Sequence, residues 1–314
     1  RLTSAQTPDA SPTGPWTFTD DKGVTVTLDT MPTRIIADVN AAAPLWDFGI
    51  RPVGVFGWNA TQNKDFGPAG GNIDPDQVEV VGYEPELFVY EKAAALNPDL
   101  IITVTWEPDN PAEYWSLDFD PDLIETARAA APVIAISATG SADVNTERFA
   151  ELAASLGANL ESDEQIAAKE RFETAKARLQ GVASAKSDLV SLFAYLGDGA
   201  ATWYIASPQD WADLSFYQSL GVTIVQPDVE KFAYWNEIST EEADMYPADI
   251  FFHSTRPGTT TEEALIADES FGSLPSIKAG QIAAWNQDFI MSYEGMAIAT
   301  EGIAAAIEQA TKVS

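Results

Sequence analysis

Apolar residues in this chain gather in short continuous runs, and the runs come in two similar series. Between positions 33 and 161 four of them read as strands: "RIIADV" (Arg34–Val39), "PVGVFG" (Pro52–Gly57), "DLIITV" (Asp99–Val104) and "PVIAIS" (Pro132–Ser137). Ala/Leu-rich segments such as Phe88–Leu96 and Asp122–Ala130 lie between them, each closed by Pro or Gly. The order recurs further on as "LVSLFAYL" (Leu189–Leu196), "VTIVQP" (Val222–Pro227), "DIFFHS" (Asp249–Ser254) and "QIAAWN" (Gln281–Asn286). Continuous apolar strands alternating with helices predict parallel sheets covered on both faces. The stretches "AALNPDLIITVTWEPD" (Ala94–Asp109) and "ADMYPADIFFHSTRPG" (Ala243–Gly258) echo one another because each carries the third strand of its half.

The pattern therefore predicts an α/β protein of two Rossmann-like lobes, each with a central parallel sheet. Between them "SDEQIAAKERFETAKARLQGVAS" (Ser162–Ser184) has no Gly or Pro before Gly181, and Ser162 or Asp163 can cap it. Ala168, Phe172, Ala175, Leu179 and Val182 form one apolar stripe. A helix of this length spans roughly 30 Å and can cross the backs of both lobes, limiting their relative movement. Ahead of the first lobe, "WTFTDDKGVTVTL" (Trp16–Leu28) alternates like a hairpin around Asp21–Gly23. The expected division is a tether over 1–15, an N-terminal lobe with its hairpin over 16–161, the interlobe helix over 162–186, and a C-terminal lobe over 187–314.

Composition narrows the function. The chain has no Cys, which excludes disulfides, thiolate metal sites and Cys nucleophiles. Its formal charge is −31, shared equally by two acidic blocks that flank the balanced helix segment. Such a surface repels nucleic acid and anionic lipid. No uncharged apolar run reaches the roughly 18 residues of a membrane span. The opening "RLTSAQTPDASPTGP" is polar and reads as a tether without signal-peptide features.

In open parallel sheets a ligand binds beyond the carboxyl ends of the strands. In the first lobe those positions hold Asn40, Trp58, Asn59, Thr105, Trp106 and Glu107. In the second they hold Trp203 and Tyr204 after a Gly-rich turn, then Gln226, His253, Ser254, Arg256, Trp285 and Asn286. Tyr83, Trp115, Trp211, Phe232, Tyr234, Trp235 and Tyr293 fall in nearby loops. Loop Trp and Tyr in both halves predict two facing aromatic walls around a cleft, although some of these rings will instead plug the lobe interface. Signals for catalysis are weak. There is no G-x-S-x-G elbow and no P-loop, and "GDGAAT" (Gly197–Thr202) lacks the third Gly of a dinucleotide fingerprint. His253 is the only histidine, so a multi-His metal site is excluded. Carboxylate pairs arise by chance among 48 acids, so an α/β lyase or hydrolase is the more distant alternative.

Five motifs in order give the chain a family likeness: "PTRIIADVNAAAPLWDFGIRPVGVFG" (Pro32–Gly57), "YEKAAALNPDLIIT" (Tyr90–Thr103), "AAAPVIAIS" (Ala129–Ser137), "ISTEEADMYPADIFF" (Ile238–Phe252) and "LPSIKAGQIAAW" (Leu274–Trp285). From about Trp16 onward it resembles the substrate-binding proteins of ABC importers for ferric siderophores, haem and vitamin B12. The resemblance implies a ligand cleft between two lobes joined by one long helix, a monomer outside the cytoplasm, and a membrane permease as partner. It implies one acidic docking residue per lobe; by motif position these are Glu91 and Glu241, with Glu84 and Glu242 as rivals. The tether looks like that of a Gram-positive lipoprotein just past its lipid-bearing Cys, which implies anchoring to the cell membrane, or a periplasmic protein in a Gram-negative host.

Within that family the ligand follows from charge. A wrapped ferric chelate needs no metal ligand from the protein, so iron is expected only as chelated cargo and no cofactor is expected. Arg256 is the cation among the strand-end residues, with Lys64 and Lys231 in nearby loops. So few cations suit a neutral or positive ligand, such as a ferrioxamine-type hydroxamate, better than a trianionic catecholate. The expected ligand-binding set is Trp58, Asn59, Tyr83, Trp106, Trp203, Tyr204, Tyr234, Trp235, His253, Arg256 and Trp285. Haem, with His253 or a Tyr as axial donor, and cobalamin are the alternatives within the class.

Overall fold

The computed structural model describes residues 14–120 and 122–314. Most of the expected tether falls on residues 1–13, outside the described residues. The hairpin is present as β1 (Trp16–Thr19) and β2 (Thr25–Leu28), paired antiparallel. Asp20 and Asp21 then tie it to the first sheet: their carboxylates accept from the backbone N–H of Ala135 (2.9 Å) and Ser137 (2.7 Å).

The first sheet contains β3 (Ile35–Asp38), β4 (Gly54–Phe56), β5 (Glu79–Val80), β6 (Leu100–Thr105) and β7 (Val133–Ser137), in the order β5-β4-β3-β6-β7. All its pairings are parallel. The second sheet contains β8 (Ser191–Leu196), β9 (Thr202–Ala206), β10 (Trp235–Ser239), β11 (Ile250–Ser254) and β12 (Ile282–Trp285), in the order β10-β9-β8-β11-β12. Here the repeat is imperfect. β8, β11 and β12 are parallel, whereas β9 and β10 run antiparallel to their neighbours. The Val222–Pro227 run, expected as a strand, leaves the sheet after one bridge between Ile224 and Ser191. Pro227 has no N–H to extend that ladder. The remaining edge of β8 is taken by β9, through Ala194–Ile205 and Leu196–Trp203.

The echoed Pro and Asp of the two third strands do the same job in each lobe. Asp99 accepts from the backbone N–H of Arg34 (2.9 Å), fixing the start of β3. Asp249 accepts from the N–H of Val190 (2.8 Å), fixing the start of β8. Asp249 also binds Lys312 and the N–H groups of Val313 and Ser314, at 2.7 to 2.9 Å. Its complete burial would raise its pKa, but these donors outweigh that and hold it far below the ordinary carboxylate value.

A single helix, Asp163–Ala185, joins the sheets, with the Ser162 hydroxyl accepting from the N–H of Gln165. At 1.5 Å per residue its 23 residues reach about 34 Å. Phe172, Ala175, Leu179 and Ala183 form its buried face. Phe172 meets Phe216 of the second lobe and Tyr293 at the start of the C-terminal helix (Tyr293–Gln309), and Tyr293 in turn meets Phe48 of the first. One core cluster therefore runs through both lobes, while the outer face of each sheet has a smaller core of its own. None of the helices among the described residues is long and apolar enough to cross a membrane.

Asp249→Asn removes a charge on which several donors converge and is expected to cost roughly 3 kcal/mol at pH 7. Because the folded-state pKa is depressed, this stability is present above about pH 4 and is lost as the pH falls below it. Urea unfolding at pH 7 and pH 3 checks this: the gap between wild type and variant narrows at the lower pH.

Candidate functional site

Loops beyond the carboxyl ends of the first-lobe strands meet loops of the second lobe, Trp106 with Tyr234 and Gly67 beside Pro257. At the first-lobe side the chain turns sharply at Gly57, whose φ is +107°. A Cβ there would lie 2.1 Å from Asp38 Oδ2 and 2.5 Å from Ser116 Oγ, so glycine is required on both grounds. The turn delivers Trp58, which is 38% exposed and edges onto Phe119, itself 52% exposed. Asn59 donates to Asn40 Oδ1 (2.6 Å), linking the ends of β4 and β3. Beneath them Asp38 caps the Val39–Asp47 helix through Asn40 N–H and accepts from Ser116 Oγ at 2.6 Å. Complete burial pushes the Asp38 carboxyl up to about 7.

Two further buried carboxylates hold the loops that carry the central rings. Glu113 accepts from the hydroxyl of Thr105 and from the N–H groups of Trp106 (3.1 Å) and Glu107 (3.2 Å), fixing the backbone where β6 ends. In the second lobe Phe232 and Tyr234 both adopt positive φ, at 68° and 62°. Asp210 accepts the N–H of each, at 2.8 and 3.1 Å. The two loops meet: Tyr234 donates its hydroxyl to the carbonyl of Trp106 at 2.6 Å.

Rings then run without interruption from one lobe to the other. Trp58, Phe119, Trp115 and Trp106 follow one another with centroids 5.0 to 6.0 Å apart. Trp106 touches Tyr234 and Trp211, and Trp211 touches Trp235 at 4.8 Å. The series ends on Trp235, Tyr204 and Tyr195, all half-buried. These edge-on contacts fix the orientation of the rings.

Arg256 follows β11 and lies beside the first lobe. A Cβ on Gly67 would come within 3.4 Å of Pro257, the next residue. The guanidinium forks onto Asp288, with Nε to Oδ2 at 3.0 Å and Nη2 to Oδ1. With its amide oriented to satisfy both neighbours, Gln287 donates to Ser254 Oγ (2.6 Å) and accepts from Arg256 Nη1 and Nη2. Lys64 is committed to the carbonyl of Val78 (2.8 Å), and the exposed Lys231 lies 4.5 Å from the centroid of Phe232.

The structure thus places Trp58, Asn59, Trp106, Tyr204, Tyr234, Trp235 and Arg256 on the sides of the two lobes that meet. Four expected residues are placed elsewhere. Trp203 is fully buried in the outer core against Phe251 and Phe271, because β9 is a strand and its alternation sends Trp203 and Tyr204 to opposite faces. His253 shares the Phe251 face of β11 and lines a small cavity with Leu196, Thr260 and Leu265, on the side away from the ring series. Burial lowers its pKa. Trp285 is 2% exposed and backs the ring series from below, donating to Asp213 Oδ2 at 2.7 Å. Tyr83 stands apart, pairing with Glu86 and receiving Lys92 at 5.5 Å from its centroid. Glu91 and Glu241 are both exposed, Glu91 in the first turn of the Tyr90–Ala95 helix and Glu241 in the 3-10 turn Thr240–Glu242. Sequence reading missed Tyr195, which the alternation of β8 places on the same side as Phe193, and it missed Phe119. It also missed Asp38, Glu113, Asp210 and Asp288; Ser116, Phe232, Tyr234 and Arg256, the partners of three of them, lie 22 or more positions away, and Glu113 folds back onto the end of its own strand.

Gly57→Ala is expected to cost about 2–4 kcal/mol, from the forced φ and the clash with Asp38; the denaturation midpoint measures it. Asp213 is also buried, which pushes its carboxyl up to about 7. The folded state therefore holds that proton more tightly than the unfolded chain, so stability falls as pH rises from about 4 to about 7. Asp213→Asn keeps an acceptor for Trp285 and is expected to flatten, without abolishing, the fall in melting temperature between pH 5 and pH 8, since Asp38 still contributes.

The junction of the lobes thus carries a continuous series of aromatic rings, and one paired guanidinium follows β11. The periplasmic binding protein family model matches residues 26–289. No curated protein matches the chain. Among solved structures, DesE, a ferric-siderophore receptor protein from Streptomyces coelicolor, is 33% identical over 96% of this chain and 100% of its own, with a TM-score of 0.87. The siderophore periplasmic binding protein from the fuscachelin gene cluster of Thermobifida fusca is 22% identical, over 88% of this chain and 96% of its own, with a TM-score of 0.62. The iron uptake ABC transporter substrate-binding protein PiuA from Streptococcus pneumoniae is 20% identical, over 94% and 99%, with a TM-score of 0.63; at these lower identities the likeness is one of fold. With a family match across most of its length, and a two-lobed architecture bridged by one helix, this chain belongs to the periplasmic binding protein family.

Proposed function

We propose that this protein captures a ferric siderophore of the ferrioxamine-type hydroxamate class outside the cytoplasm and delivers it to an ABC importer permease. The observation that carries the reading is the uninterrupted ring series from Trp58 to Tyr195, set in a protein 33% identical to a ferric-siderophore receptor. A hydroxamate chelate presents a folded organic surface with iron-bound oxygens at one side. Trp58, Trp106, Tyr234, Trp235 and Tyr204 would pack the chelator, with Asn59 close by. Arg256 would donate to the oxygens: Asp288 and Gln287 engage four of the five N–H groups of a guanidinium, leaving one on Nη1.

The protein acts by binding, as a monomer, with iron entering only as cargo and no resident cofactor. Glu91 and Glu241 are the residues assigned to the permease, one in each lobe and eight positions before the Asp that begins the third-strand motif. Matching acidic points on two similar lobes suit a twofold membrane partner. A lipid anchor preceding the tether completes the reading.

Titration of the protein with a ferric trihydroxamate is expected to quench tryptophan fluorescence with a Kd of about 1 μM or tighter, as buried aromatic contacts of this extent allow. Trp106→Ala is expected to weaken binding at least about tenfold. Quenching by a ferric tricatecholate but not by the trihydroxamate would overturn the ligand class, and a Soret band on mixing with haem, with no response to ferric chelates, would overturn the siderophore reading.

A further inference from the structure

The Arg256–Asp288 pair has a consequence for which chelates the cleft accepts. Among the described residues Arg256 is the cation that follows a strand at the junction of the lobes, and Asp288 matches its charge. Asp288 grips it through both carboxylate oxygens and is itself almost buried, its side chain 4% exposed against 38% for Arg256. What the cleft meets is therefore a neutral ion pair with a guanidinium edge outward. Behind it lies a second buried carboxylate, Asp38, close enough for Asp288 to act on it electrostatically. Lys64 and Lys231 keep their charges on neighbouring loops, but each is engaged away from the pair, Lys64 with the Val78 carbonyl and Lys231 with the Phe232 ring. An anionic ligand entering here would be desolvated opposite a matched pair and a buried acid, with no unpaired guanidinium charge at that point to compensate it.

We infer that Asp288 is a specificity-determining residue: by neutralising Arg256 it makes the cleft discriminate among ferric chelates by net charge, accepting cationic and neutral complexes and rejecting anionic ones. The inference rests on the reading of the cleft as a ferric-chelate site. Arg256 keeps a donor for the ligand's oxygens, and Asp288 removes the electrostatic reward that a free guanidinium would give to a negative ligand.

The test uses one ferric trihydroxamate core in three charge states. The linear ferrioxamine with a free terminal ammonium is +1, its N-acetyl derivative is neutral, and its N-succinyl derivative is −1. Dissociation constants are measured by tryptophan quenching for wild type, Asp288→Asn and the double variant Arg256→Gln/Asp288→Asn, at low and high salt. Wild type is expected to bind the monoanion most weakly. Asp288→Asn is expected to improve the monoanion relative to the cation by about tenfold, and the gain should shrink in high salt. The double variant, whose pair is again neutral, is expected to return to the wild-type order. Should Asp288→Asn fail to fold, Arg256→Gln alone leaves Asp288 unmatched and must shift the ratio about tenfold further against the monoanion. Unchanged ratios in the single variants, or a double variant that behaves like Asp288→Asn, overturn the inference while leaving the ferric-chelate reading intact. Failure of wild type to bind any of the three overturns both.

Discussion

The cleft depends on buried carboxylates that hold backbone N–H groups. Trp58, Trp106, Trp115, Phe119 and Tyr234 stand on loops, and an irregular loop is held in place only if something satisfies its polar backbone groups. Glu113 does this for the end of β6, and Asp210 does it for the loop before β10. Two residues of that second loop, Phe232 and Tyr234, sit at positive φ, which costs of order 1–3 kcal/mol each. The two charge-assisted bonds to Asp210, at about 1.5–3 kcal/mol each, offset a strain of that size. Tyr234 and Trp106 then close on one another, so contacts within the protein join the two lobes.

The same chemistry runs through the molecule. Asp99 and Asp249 start equivalent strands in the two lobes, Asp38 caps a helix beneath the cleft, and Asp20 and Asp21 fasten the hairpin. The acidity of the chain is thus more than a surface property: part of it is structural, with carboxylates accepting N–H groups where loops and strand ends would otherwise be unsatisfied. Lysine and arginine are scarce among these contacts, and backbone donors take their place. The Arg256–Asp288 pair is the exception at the site, and there the match between the two charges is the functional point.

Much of this was legible in the sequence because period and punctuation carry it. Apolar runs of strand length, the uninterrupted helix between the lobes, and the repeated third strand are all local patterns, and a local pattern survives without its partners. The Val222–Pro227 run shows the limit: it reads as a strand, yet β9 takes most of that edge. Trp203 and Tyr204 show another, since assigning them to a loop hid the alternation that buries one and presents the other. Trp106 and Arg256 were singled out as strand-end residues and Tyr234 as a residue of a nearby loop, by the rule that ligands of such sheets bind beyond the strand ends. The acids behind them were not, because a carboxylate that bonds a backbone N–H of another element looks like any other acid in a list of 48.

The core common to both lobes also sets an order of events in the life of the chain. Ser292 bonds Asp47 and Tyr293 packs on Phe48, so contacts that seal the first lobe come from residues some 245 positions later. Until the final helix has been synthesised, the inner side of that lobe has no complete cover, and structure built on such distant pairings forms late. A polypeptide organised this way closes its first lobe only when its last helix is in place.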